Sequence, residues 1–89
     1  MTVRQEYSLQ AMRWMARRGM LELDLLFNQF IDSHFDQLSH DQMQSLVDML
    51  KEQDPTLYDW FFSSKKPERP DWIELVKLIK QHSQSQSHD

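Results

Sequence analysis

Gly19 is the only glycine in a chain of 89 residues, and with three prolines beside it there is little material for the tight turns of a hairpin sheet. Ala, Leu, Met, Gln, Glu, Lys and Arg are common and β-branched residues few, so local preference favours helix over strand. One glycine also excludes a glycine-rich phosphate loop. A chain this short forms one domain and buries only roughly 60–65% of its unfolded surface, so its core is small. Five Phe, three Trp, two Tyr and six Met give that core its bulk.

The periodicity resolves into five helices. The first is predicted from about Val3 to Arg17, stopped at Gly19, because glycine past a basic last turn adopts the left-handed conformation at little cost. The second, about Met20 to Phe35, places Leu23, Leu26, Phe27, Phe30, Ile31 and Phe35 on one face at 100° per residue. Ser39 followed by Gln42 is a capping-box pattern that opens the third, with Met43, Leu46, Val47 and Leu50 as its apolar stripe. Asp54-Pro55 reads as N-cap and first position of a short fourth helix packed through Leu57, Trp60 and Phe61. After a polar connector, Ser63 to Arg69, the fifth runs from Pro70 or Asp71 to His82 and buries Trp72, Leu75, Val76 and Ile79. The expected fold is all-α, a compact bundle of five short helices spanning residues 1–82. Residues 83–89, Ser-Gln-Ser-Gln-Ser-His-Asp, have nothing to bury and read as a disordered polar tail.

Several functional classes drop out at once. Without cysteine there is no disulfide framework, thiolate metal site or cysteine nucleophile. A net charge of −4 opposes general nucleic-acid binding, although a local basic patch is compatible with it. No window approaches the ~20 apolar residues of a membrane span, and the first ten residues lack the apolar run of a secretory signal. A cytoplasmic protein without direct membrane insertion is the expectation. The four His, at 34, 40, 82 and 88, form no i, i+4 pair, so metal-site spacing is lacking. His34 reads as a core histidine. Carboxylates close in sequence, such as Glu22/Asp24 and Glu52/Asp54, point apart on a helix and suggest no acid/base dyad. The third and fourth predicted helices mimic a helix-turn-helix, but Thr56 to Ser64 is aromatic and offers no Arg, Lys or Asn to base edges.

The junction of the first two helices is the most informative segment. Arg17 and Arg18 precede Gly19, and Glu22 and Asp24 follow it. Should the helices fold back at Gly19, Arg18 and Glu22 are expected to meet at the bend, both facing solvent. A fixed guanidinium fork beside a carboxylate suits recognition of charged groups on another protein. The bland alternatives are a surface ion pair worth about 0–1 kcal/mol and a glycine that only caps a helix. Asp24 lies at the edge of the apolar face and needs donors there, from an Arg of the first helix or from backbone N–H groups.

Arg17-Arg18-Gly19-Met20-Leu21-Glu22-Leu23-Asp24 resembles the signature of the succinate dehydrogenase assembly factor family of the bacterial SdhE/YgfY type. Its Arg-Gly-x-x-Glu hallmark falls on Arg18, Gly19 and Glu22. The resemblance extends upstream to Trp14 and downstream to Asp54-Pro55-x-Leu57-x-x-Trp60, and covers roughly Tyr7 to His82. It implies a five-helix domain that binds the flavoprotein subunit of succinate dehydrogenase, and in bacteria that of fumarate reductase. Such a protein promotes the covalent bond between a partner histidine and the 8α-methyl of FAD. The resemblance further implies that the surface of Arg18, Gly19 and Glu22 contacts the partner; Arg17 is expected to reinforce its basic side, and Trp14 and Asp24 are expected to give structural support. No tight cofactor site is expected, because FAD belongs to the partner and the chain has neither a phosphate cradle nor room for a large pocket. A monomeric helper, not an enzyme, is therefore expected. The runner-up is an antitoxin or transcription-regulator type of small helical interaction protein.

Overall fold

Ser8 starts the first helix: its hydroxyl accepts from the Ala11 N–H at 3.0 Å, satisfying one of the donors a helix N-terminus leaves open. The computed structural model describes residues 7–86. In chain order it contains α1 (Leu9–Met15), α2 (Leu21–His34), a 3₁₀ turn (Phe35–Gln37), α3 (His40–Met49), α4 (Asp54–Phe62) and α5 (Pro70–Gln86), with no strand among the described residues. The expected all-α bundle of five helices is the observed fold.

Several boundaries differ from the sequence expectation, each for a local reason. The Ser8 cap lies inside the stretch read as helix; the earlier part of that stretch, residues 3–6, lies outside the described residues. α1 ends at Met15 with Ala16 as its C-cap, three residues before the glycine expected to stop it. No described residue has a positive φ, so Gly19 is not a left-handed cap. The chain leaves the helix because the Arg17 N–H turns back to the Trp14 carbonyl at 3.2 Å, while the Arg18 N–H goes to the Asp24 carboxylate at 2.9 Å. A side chain thus captures a donor that would otherwise continue the helix. α5 runs four residues past His82, so Ser83–Gln86 are helical and not a loose tail; residues 87–89 lie outside the described residues.

The capping box that opens α3 is complete: Ser39 accepts from the Gln42 N–H at 3.0 Å and the Gln42 side chain accepts from the Ser39 N–H at 2.9 Å. The start of α5 is tied through Asp71 to α3 and to the connector that precedes it. Its carboxylate accepts from Arg69 at 2.7 Å and from the Ser45 hydroxyl at 2.7 Å. Those donors, Arg69 first, hold the Asp71 carboxyl down to about 2.

The core is a single apolar cluster to which every helix contributes, from Met12 and Ala16 at α1 through Phe27, Phe30 and Ile31 of α2 to Leu75, Val76 and Ile79 of α5. Phe27 meets Phe61 of α4 edge to face at 5.3 Å, which fixes α4 against α2. Leu26 and Phe35, placed on the same apolar face as the core residues, are only half-buried at its margin. At the α2–α5 seam, His34 stacks on Phe30 at 4.8 Å and meets His82 edge-on, also at 4.8 Å. His82 is 9% exposed, and neither its Nε2 nor His34 Nδ1 has a hydrogen-bond partner. Burial, and secondarily the neighbouring His34, push the His82 pKa below its ordinary 6.5.

The folded state therefore disfavours the charged imidazole, and the unfolded chain binds the proton more readily. Stability is complete above pH 6.5 and is lost as the pH falls below it toward the folded-state value. The thermal midpoint should fall between pH 7 and pH 5, and His82→Phe, which keeps the ring against Phe30, should flatten that dependence. An equal fall in the variant would show that another group is responsible.

Candidate docking site at the turn between α1 and α2

Five residues, Ala16 to Met20, separate α1 from α2, and polar groups pin this turn from several sides. The Arg18 N–H donates to Asp24 Oδ1 at 2.9 Å, and the Met20 N–H donates to Asp54 Oδ2 at 3.1 Å. Two carboxylates, one from α2 and one from the first position of α4, thus take the backbone donors on either side of Gly19. Asp24 accepts from a backbone N–H, one of the two donor types its position at the edge of the apolar face required.

The Arg18 side chain goes inward. One guanidinium nitrogen donates to the Glu52 carbonyl at 3.0 Å and to Asp54 Oδ1 at 3.3 Å. The other donates to the Met15 carbonyl at 3.3 Å and to the Leu50 carbonyl. The group lies 6.0 Å from the Phe27 ring centroid, and the side chain is only 9% exposed. The acceptors include carbonyls at the C-terminal ends of α1 and α3, which no helical N–H serves and which a cation satisfies. Arg18 therefore does not project to solvent beside Glu22. That expectation is corrected: the planar fork the sequence offered to another protein is used within this one, joining the ends of three helices.

Asp54 is also reassigned. The N-cap of α4 is Gln53, without a side-chain capping bond, and Asp54 is the first helical residue. Its carboxylate is drawn away to Arg18 and to the Met20 N–H.

The other predicted site residues face outward. Gly19 is exposed, and a Cβ built there would meet only Asp54 Oδ2 at 3.7 Å, an ordinary contact. Neither backbone conformation nor internal space requires a glycine. Glu22 is exposed and, among the described residues, has no ion pair or side-chain hydrogen bond. Arg17 is exposed and lies over the Trp14 ring, 5.5 Å from its centroid. Trp14, expected as structural support, lies on the outside of the bundle with 71% of its surface open. Leu21 and Leu25, one helical turn apart on α2, are 66% and 49% exposed.

Sequence reasoning missed this last part of the surface and the inward ties of Arg18. The apolar stripe drew attention to the buried face of α2, so Leu21 and Leu25 off that face passed unremarked. The signal for the second omission was that the Arg-Gly and Asp-Pro segments, of opposite charge, belong to one motif set.

Together the fold and the turn define a class, a small all-α protein whose inner polar network holds one exposed turn rigid. Within that class, the chain belongs to the family described as the flavinator of succinate dehydrogenase, whose model matches residues 10–83. It is 40% identical over 67 residues to the FAD assembly factor SdhE of Legionella pneumophila strain Paris, covering 75% of this chain and 84% of that one. The FAD assembly factor SdhE of Coxiella burnetii is 37% identical over 71 residues, covering 80% and 87% of the two chains. That of Shewanella oneidensis is 33% identical over 73 residues, covering 82% and 89%. The antitoxin or regulator alternative finds no support among these relatives.

Proposed function

We propose that this chain is an assembly factor that binds the flavoprotein subunit of succinate dehydrogenase and promotes covalent attachment of its FAD. The supporting observation is the pinned turn. A fold that commits Arg18, Asp24 and Asp54 to immobilising one exposed glycine leaves that glycine free to meet another surface closely. Around it, Arg17 and Glu22 supply charge, while Trp14, Leu21 and Leu25 supply the exposed apolar area that a docking face needs. Arg18 acts on the partner through the turn that it holds.

Attachment of the flavin to the partner histidine is chemistry of the partner's own groups. A helper accelerates it by binding the attachment-competent conformation better than the others. Moving such an equilibrium from 1:99 to 99:1 takes ~5.5 kcal/mol of preference. A rigid face serves this purpose well, since little freedom is lost when it docks. FAD is held by the partner and not tightly by this chain. The cavity between α3 and α5, about 370 Å³, sets three carboxylates, Asp41, Asp71 and Glu74, against the single cation Lys77, a balance that disfavours a pyrophosphate. The flavoprotein of fumarate reductase is a second client in this reading. The factor works as a cytoplasmic monomer, and among the described residues no helix is long and apolar enough to cross a membrane.

Reconstitution tests the reading. Apo-flavoprotein incubated with FAD should retain more flavin fluorescence after denaturing electrophoresis when this protein is present. Equal retention with and without it would sink the proposal.

A further inference from the structure

Residues 63–80 hold five of the chain's ten Lys and Arg but only three of its fourteen Asp and Glu, so an acidic protein carries a locally basic face. Four of these cations surround one cavity. Trp60, Pro67, Ile73 and Val76 form its apolar wall, and Lys65, Lys66, Lys77 and Lys80 line it with Ser63 and Ser64. Its volume is about 250 Å³. None of these residues belongs to the turn at Gly19.

Little inside the protein accounts for the gathered charge. Lys65 reaches Asp59 at 3.5 Å and Lys77 reaches Glu74 at 3.9 Å, both with lysines more than half exposed, and such pairs are weak. Lys66 and Lys80 have no ion pair among the described residues. Lys77 and Lys80 are like charges three residues apart on α5, an arrangement that slightly destabilises the helix carrying it. The wall is anchored in the bundle: Pro67 is buried and Trp60 packs on Trp72 at 5.5 Å between ring centroids.

From this juxtaposition we infer a second docking surface, for an acidic peptide segment that inserts one large apolar side chain between the lysines. Volume and charge together select this occupant. About 250 Å³ is below the ~300–1,000 Å³ typical of small-molecule sites but suits a single side chain. Lysines on flexible stems, unlike a fixed guanidinium fork, accommodate carboxylates in varied positions. An anionic bilayer is less suitable, because it also confronts the excess of acidic groups elsewhere on the chain. The inference goes beyond flavoprotein docking and does not depend on it.

The test uses the full chain and a fluorescein-labelled hexapeptide, Asp-Glu-Glu-Phe-Glu-Asp, followed by fluorescence anisotropy at low salt. Saturable binding is expected. It should weaken about tenfold in the double variant Lys66→Glu/Lys80→Glu, and at least about tenfold when Ala replaces the peptide Phe. Circular dichroism should show both lysine sites changed without loss of helix, as befits side chains on the outer rim. No saturable binding, or equal affinity for the double variant, overturns the proposal. Equal affinity for the Ala peptide, or displacement by equimolar inorganic phosphate, would reveal a simple anion site and also overturn it. Lysine-dependent binding to phosphatidylglycerol vesicles without peptide binding would assign the face to a membrane and overturn it as well.

Discussion

Arg18→Ala should lower the thermal midpoint by roughly 10–20 °C, the largest stability effect expected from any polar substitution in this chain. The guanidinium joins the ends of α1 and α3 to the start of α4 by donating to the carbonyls of Met15, Leu50 and Glu52 and to the Asp54 carboxylate. Truncation leaves Asp54 near the α1–α2 turn without its cation and strands carbonyls that no helix serves. Hydrogen bonds to charged groups contribute about 1.5–3 kcal/mol, and removing one partner of a mostly buried pair costs more than the pair contributes net. A loss of about 3 kcal/mol is a large share of the ~5–15 kcal/mol that holds a typical domain together. Arg18→Lys should recover only part of it, since one ammonium cannot span four acceptors on two sides of a planar group. Melting followed by circular dichroism decides the matter. A midpoint within a few degrees of the parent would mean that solvent can replace every one of these contacts.

That expectation reverses the one suggested by residue chemistry alone, and the reason shows what a sequence of this kind makes visible. Helices were legible because their signals are local. Leu23, Phe27, Phe30 and Ile31 recur at helical spacing, and Ser39 with Gln42 carries both halves of a cap within four residues. Motif membership was legible too, since Arg18, Gly19 and Glu22 stand at fixed offsets. Side-chain direction was not. Whether Arg18 turns in or out depends on acceptors 32 to 36 residues away, at Leu50, Glu52 and Asp54, and no periodicity reports them. The same nonlocal tie misled the reading of Asp54, whose sequence context is that of a helix cap but whose carboxylate is claimed by Arg18 and Met20. Trp14 illustrates the converse. Large aromatic residues are usually core, and only the packing of α1 on α2 reveals that this one lies outside with Arg17 against its ring.

Gly19→Arg should abolish promotion of flavin attachment while leaving the helical fold and its melting transition nearly unchanged. The two effects separate because the fold makes no demand on this position. Its backbone φ is not in the left-handed region, a Cβ finds ordinary space 3.7 Å from Asp54 Oδ2, and the residue is exposed, so a long side chain can extend into solvent. Gly19→Ala should even raise stability, by about 0.4–1 kcal/mol, because it restricts the unfolded chain at a site whose native conformation alanine accepts. A fold indifferent to glycine, in a chain that contains no other, leaves close approach by another surface as the remaining physical use for it. Arginine there would hold that surface several ångströms away and add a cation beside Arg17, disrupting a face that a docking partner must match closely. Ala, adding one methyl, should weaken binding less than Arg does. Binding to the flavoprotein, covalent flavin yield and the thermal midpoint, measured for parent, Ala and Arg forms, give the required series. If the Arg form still promoted attachment at the parental rate, the turn would not be the contact. If it lost attachment only in step with its helical signal, Gly19 would belong to the fold after all.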